Sequence, residues 1–182
     1  MIFIFLGILG VLIVAAIGTY NGLVGLRQLV KNAWSQIDVQ LKRRYDLIPN
    51  LVETVKGYAA HEKQTFERVI QARSAAVSAQ GVAAQAQAEN VLTGALRQLF
   101  AVAEAYPDLK ANQNFLALQE ELSTTENRIA FARQNYNDTT AGYNTRVQSF
   151  PANIVARLFN FAVEEYFELE DAVQREAPKV AF

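Results

Sequence analysis

The chain has 182 residues, enough for one domain of ordinary size with a core of its own and no need of staples. Hydrophobic residues make up 51%, and with only 4 prolines among long runs of Ala, Leu, Gln, Glu and Arg the mixture favours an all-α protein. The balance of 17 basic against 18 acidic residues excludes the strong positive field of a nucleic-acid binder, and the absence of cysteine excludes disulfides, thiolate metal sites and thiol redox chemistry.

Residues 1–18, MIFIFLGILGVLIVAAIG, carry no charged or strongly polar side chain, and as a helix they would extend about 27 Å, close to the ~30 Å hydrocarbon core of a bilayer. A transmembrane anchor over 1–19 is therefore expected, with the lipid bilayer as its partner. A cleaved secretory signal is the rival, since Val14, Ala15 and Ala16 resemble a small-residue cleavage site, but the usual basic n-region is missing. Lipid modification as a lipoprotein needs a cysteine that the chain lacks. No Lys or Arg precedes the span, whereas Arg27 and Lys31 follow it and Lys42, Arg43 and Arg44 come later. The positive-inside rule then favours a single-pass protein of the inner cell membrane with its C-terminal domain in the cytoplasm, while an exported domain is the alternative, since only Arg27 and Lys31 lie close to the membrane end. Gly18 and Gly22 form a GxxxG pair, a candidate for anchor self-association and hence a homo-oligomer, although small residues are common in membrane helices without it.

After the anchor, apolar positions at Leu23, Leu26, Val30, Ala33, Ile37, Leu41, Tyr45 and Ile48 step by threes and fours, one buried helical face continuing from the membrane segment. Pro49 lacks an amide donor and restricts Ile48, so a turn or kink with a short αα-hairpin is expected over 46–50. A second stripe follows at Leu51, Val55, Tyr58, Thr65 or Phe66, Val69, Ala72 and Ala76. The Ala, Ser and Gln rich stretch 74–87, with Gly81, reads as the best loop in the chain. A third helix is marked by Val91, Ala95, Leu99 and Val102 and stops near Ala105, ahead of Pro107 and Asp108. The longest element runs over 111–149, about 58 Å as a helix, with a stripe from Phe115 through Leu122, Ile129, Tyr136 and Tyr143 to Phe150. A short helix over 152–158 and an acidic, aromatic tail close the chain, with Phe159, Phe161, Tyr166 and Phe167 stapling the tail down. The expected architecture is an anchor over 1–19, an antiparallel four-helix bundle of long helices over 20–160, and a C-terminal tail over 161–182 packed on it.

The residues that carry chemistry point away from catalysis. His61 opens HEKQT like a zinc-protease helix, but Thr65 stands where the second His is required. Tyr58 three residues before it rules out an ExxH pair, and one His cannot supply two such motifs for a bundle metal centre. The carboxylates Glu120, Glu121, Glu164, Glu165, Glu168 and Glu170 read as a solvated helix face. There is no phosphate loop, nucleophile elbow or dinucleotide fingerprint, so neither an enzyme nor a cofactor is expected.

The densest charge feature is Lys42, Arg43, Arg44, Tyr45 and Asp46, a candidate contact for a protein partner. Some 24 residues, or about 36 Å of helix, separate Lys42 from Gly18, which disfavours headgroup contact. A buried polar layer is the alternative, with Arg43 or Arg44 paired to Asp46, Glu53 or a carboxylate of the last helix. The ladder Glu126, Asn127, Arg128, Arg133, Asn135, Asn137 and Asn144 raises a ligand hypothesis, although hydrogen bonding between helices and loops is the commoner use of such residues.

The chain resembles the LemA family along its whole length. The resemblance rests on the apolar start with YNGLVGLR (20–27), on AWSQIDVQLKRRYDLIPNLVETVKGYAAHE (33–62), on QEELSTTENRIAFARQNYN (119–137), on YNTRVQSFPANIVARLFNF (143–161), and on the closing EYFELED and PKVAF. The resemblance implies a membrane-bound protein with a very short outer N-terminus, an inner four-helix bundle, and a role in membrane organisation as in magnetosome relatives; it implies no activity. Two functions are therefore carried forward: a non-enzymatic scaffold or adaptor with unidentified protein partners, and a sensor or small-ligand module relaying a signal through the anchor helix.

Overall fold

The structure, a computed structural model, describes residues 1–168; among them there are six helices and no strand. Helix α1 spans Ile2–Lys56, so the apolar segment and the first amphipathic stripe are one uninterrupted helix. On its soluble part Leu23, Val30, Ala33, Ile37, Leu41, Tyr45 and Ile48 are buried, the face that the periodicity predicts.

The hairpin expected over 46–50 is absent, because α1 continues through Pro49 to Lys56. The physical reason lies in a distant side chain. A proline at 49 leaves the carbonyl of Tyr45, four residues earlier, without its helical donor. Arg73 supplies that donor from the next helix, its Nε hydrogen-bonding the Tyr45 carbonyl at 2.8 Å. Beyond the proline, Leu51, Val52 and Val55 are buried and hold the extra turns in register. The chain first leaves the helix after Lys56, in the connection 57–62.

Helix α2 spans Lys63–Ser78 and buries Phe66, Val69, Ala72 and Ala76. Helix α3 spans Val82–Glu104. The loop expected over 74–87 thus shrinks to residues 79–81, since Ala and Gln are good helix formers and low complexity alone does not break a helix. The break itself is made by Gly81, whose φ of 85° lies where side-chain-bearing residues are strained. The buried face of α3 is formed by Gln85, Ala86, Glu89, Leu92, Ala95, Leu96, Leu99 and Ala103; Val91 of the expected stripe is exposed.

A single turn, α4 (Pro107–Lys110), begins at the proline that ends the preceding pattern. Helix α5 spans Gln113–Gln148, and the Asn112 side chain caps it by accepting from the Phe115 amide at 3.0 Å. Its buried stripe runs Phe115, Leu122, Thr125, Ile129, Ala132, Tyr136, Thr140, Tyr143 and Val147, while Phe150, the last position expected on it, is 80% exposed. Helix α6 spans Ala152–Leu158, the range expected from the sequence.

The described chain forms two compact units, Met1–Gln40 with Arg128–Tyr166, and Leu41–Asn127 with Phe167 and Glu168. In the first, the α1 face of Leu23 to Ile37 meets the C-terminal part of α5, with the Trp34 and Tyr136 rings edge to face at 5.4 Å. In the second, the C-terminal part of α1, α2, α3 and the start of α5 share a core that includes Ile48, Leu51, Val69, Leu92, Leu99 and Leu122.

Candidate functional site

Three features stand apart from ordinary helix packing. The first is the N-terminal apolar segment. Ile2, Phe3, Phe5, Val11 and Ile17 are all more than half exposed, and α1 is the one described helix long and apolar enough to cross a membrane. An exposed apolar surface of this length has no partner among the described residues, and a bilayer is the environment in which it costs least. Gly18 and Gly22 are exposed, with nothing within 4 Å of where a Cβ would stand.

The second feature is a buried polar cluster in the second unit, grown from the charged run at 42–46. Arg44 is 2% exposed and pairs with Glu89 of α3 and with Glu126 of α5, the latter at 2.5 Å. The Tyr45 hydroxyl donates to Glu89, and the Gln85 amide lies within donating distance of Glu89 at 3.0 Å, of the Tyr45 hydroxyl at 2.9 Å and of the Ala76 carbonyl at 3.2 Å. A guanidinium removed from water is tolerable only with its charge paired, and two carboxylates perform that task here. Arg43 is exposed and meets Glu121 at 2.7 Å; Lys42 and Asp46 are exposed. The run therefore divides: Arg44 and Tyr45 point into the core, and the partners of the two arginines are not Asp46 or Glu53 but Glu121 and Glu126, carboxylates of the last long helix as one alternative had it, together with Glu89 of α3. Beside Arg44 a groove of about 350 Å³ is lined by Thr93, Leu96, Arg97 and Phe100 of α3 and by Gln119, Leu122, Ser123, Glu126 and Asn127 of α5.

The third feature, in the first unit, is a clamp on the chain after α6. Asn144 holds residue 164 in both directions: its Nδ2 donates to the Glu164 carbonyl at 2.9 Å and its Oδ1 accepts from the Glu164 amide at 2.8 Å. The Tyr143 hydroxyl donates to the Ala162 carbonyl at 2.9 Å, and the Tyr136 hydroxyl donates to the Glu165 carbonyl at 2.8 Å. These side chains take over the backbone pairing that a non-helical segment would otherwise lack. Phe161 is buried beneath the Arg27 guanidinium, 4.8 Å from its ring, and edge to face with Tyr20 at 5.5 Å. Burial pushes the Tyr136 and Tyr143 phenols above their ordinary range, and the Glu164 carboxylate adds to the effect, so both remain protonated donors at neutral pH.

The profile of the LemA family matches residues 33–182, most of the chain. The chain belongs to the LemA family. Protein LemA of Metamycoplasma hominis is 29% identical over 177 residues, covering 93% of this chain and 79% of that protein. Magnetosome protein MamQ 2 of Paramagnetospirillum magneticum is 27% identical, and magnetosome protein MamQ of Magnetospirillum gryphiswaldense 26%, each over 179 residues. The match covers 84% of this chain but only 66% of each magnetosome protein. Both the polar cluster and most of the clamp lie inside the LemA match, whereas the apolar segment precedes it.

Elsewhere in this LemA-family chain, His61 is exposed, and among the described residues no group of three or more His, Asp or Glu side chains could hold a metal ion. Glu164, Glu165 and Glu168 sit on a non-helical segment, not on the helix face expected for them; Glu170 lies outside the described residues. Of the four aromatics expected to staple the tail, Phe161 and Phe167 are buried, while Phe159 and Tyr166 are 52% and 42% exposed. The remainder of the tail, 169–182, with its closing PKVAF, falls outside the described residues. In the polar ladder, Asn144 clamps the chain, Glu126 meets Arg44, and Asn135 reaches Gln36 at 3.4 Å. Glu89, Gln85 and Arg73 escaped the sequence reading because Gln and Arg on an Ala-rich helix look like solvated positions. Their one visible signal is spacing, since Gln85, Glu89 and Leu92 step by four and three along a single face.

Proposed function

We propose that the protein is a membrane-anchored, non-enzymatic helical scaffold or adaptor. The observation that carries this reading is that an unbroken helix joins an apolar segment of membrane-spanning length to a packed helical body. Fixing a body to a bilayer raises its effective concentration toward neighbours on the same surface, which is how a scaffold acts without chemistry of its own. The organisation we infer is a single-pass anchor over 1–19, a domain over 20–160 on the cytoplasmic side, and a tail over 161–182 docked against it. The C-terminal part of α1, α2, α3 and the start of α5 have the short connections of an antiparallel four-helix bundle, which we infer for the second unit. The relatives named as magnetosome proteins support a role in membrane organisation. In this reading Lys42, Arg43 and Asp46 are a contact for a protein partner, and Gly18 with Gly22 a contact between anchors.

Chemical crosslinking in native membranes tests the proposal. A crosslinked homo-oligomer or a recurrent partner is expected, and a protein that stays monomeric and unattached under every condition overturns it. A reporter at the C-terminus checks the topology and is expected to be active in the cytoplasm.

A second reading, a small-ligand module, is favoured by one observation: the groove beside Arg44 has the volume of a small-molecule pocket. A ligand screen on the full chain in detergent separates the two. A reproducible rise in melting temperature that is lost in Arg97→Ala and Ser123→Leu would establish the ligand module, and no rise leaves the scaffold.

A further inference from the structure

We propose that the exposed apolar face around α6 is a second membrane contact, seated in the interface of the bilayer that residues 1–18 cross. The inference rests on the anchor reading above and goes beyond it, because it concerns a segment more than a hundred residues later in the chain. Phe150, Ile154, Leu158 and Phe159 are 80%, 60%, 73% and 52% exposed, while Ala152, Val155 and Ala156 of the same helix are buried. The helix is thus sided: small apolar residues pack inward, and its outward side exposes the larger Ile154 and Leu158 beside Arg157.

Its position explains why. The Phe159 ring meets the Tyr20 ring edge to face at 4.8 Å. Tyr20 lies two residues beyond Gly18, about 3 Å of helix past the end of the apolar segment. The Phe159 end of α6 therefore stands beside α1 at the level where the helix would leave the hydrocarbon. The segment itself, at about 27 Å, falls short of a ~30 Å core, which draws flanking apolar side chains toward the boundary. Tyr20 supplies the amphipathic ring typical of that level. Arg146 and Arg157 are exposed on the same stretch, with stems long enough to keep their charges among anionic headgroups while Leu158 and Ile154 sink. A short helix with this pairing of apolar side chains and basic flanks lies in the interface plane, its apolar face about 5–10 Å deep.

The chain contains no cysteine, so single labels can be placed without background. The full-length variants Ile154→Cys and Leu158→Cys, each carrying an environment-sensitive fluorophore, are reconstituted in vesicles of phosphatidylcholine with phosphatidylglycerol. Val11→Cys marks the anchor, and Val39→Cys, about 32 Å beyond Gly18 along α1, marks the aqueous side. At positions 154 and 158 the expected result is blue-shifted emission, quenching by lipids spin-labelled near the headgroup end of the acyl chain, and protection from iodide. The Val39 label shows none of these, and the Val11 label is quenched by deep spin labels. If Val11 is quenched while 154 and 158 are as open to iodide as 39, the α6 contact is overturned and the anchor stands. If Val11 is itself open to iodide, the anchor reading falls and the contact falls with it. Protection at 154 and 158 without lipid quenching means that a second copy or another protein covers the face, which also overturns the proposal.

Discussion

Arg44 is 2% exposed and held between Glu89 and Glu126, and its removal is expected to hurt for a reason unrelated to packing volume. Arg44→Leu leaves Glu89 buried with its charge uncompensated, a loss of about 3–5 kcal/mol. Replacing Arg44 and Glu89 together by methionine removes both charges and is expected to recover most of that loss, because the desolvation penalty disappears with the attraction. Thermal melts of the full chain in detergent, followed by helix signal, check both variants. Arg73 offers a second test. Arg73→Ala uncaps the carbonyl that Pro49 leaves without a donor and is expected to cost about 1.5–3 kcal/mol. In a Pro49→Ala background the restored amide satisfies that carbonyl, and the cost of Arg73→Ala falls to a few tenths of that range, as a double-mutant cycle on the same melts would record. The sequence marks Arg43 and Arg44 as candidates for a buried polar layer, which Arg44 enters. It leaves their partners open between Asp46, Glu53 and a carboxylate of the last helix; Glu121 and Glu126 of the last long helix, α5, are of the third kind, while Glu89 of α3 is not among the alternatives, because that pairing is made by folding, not by spacing.

At the scale of elements, α6 was legible to the residue, since Pro151 before it and the aromatic run after it bracket a short apolar pattern. The course of α1 was not. A proline in a helix pattern is a local signal, whereas its rescue by Arg73 is a tertiary one. The stretch 74–87 misleads in the opposite sense, because its polarity looks like a loop while its residue types favour helix. The clamp on the chain after α6 was only half visible: aromatic residues signalled docking, but the bonds come from Tyr136, Tyr143 and Asn144 to backbone atoms that no side-chain pattern encodes. Its pH dependence follows from the two raised phenols. The folded chain holds these protons more tightly than the unfolded one, so their contribution is intact below the unfolded value near 10 and is lost as pH rises through the folded one. Denaturation midpoints are expected to be flat with respect to these groups from about pH 6 to 9 and to fall above about 10, a fall reduced in the Tyr136→Phe, Tyr143→Phe double variant.

For the whole molecule, the proposed anchor over 1–18 is the part that would set where the protein resides. A chain beginning at Thr19 is expected to lose the carbonate-resistant membrane association of the full chain while keeping weak, peripheral binding to anionic vesicles through α6. Fractionation followed by vesicle flotation checks this. The apolar run was the plainest feature of the sequence, and the structure makes it the start of α1. The two compact units were not legible, since the boundaries at 40–41 and 127–128 fall inside continuous helices and leave no trace in composition.

The continuity of α1 has a rotational consequence. Because residues 2–40 form one helix without a joint, the azimuth of the span in the bilayer and the direction in which the first unit faces are a single angle, advancing about 100° and rising about 1.5 Å with each residue. A one-residue insertion between Gly18 and Leu23 would turn the α6 surface about a quarter of a revolution around the span while scarcely changing its height. In the proposed arrangement a membrane would not merely hold this protein; through a rigid shaft it would also index it.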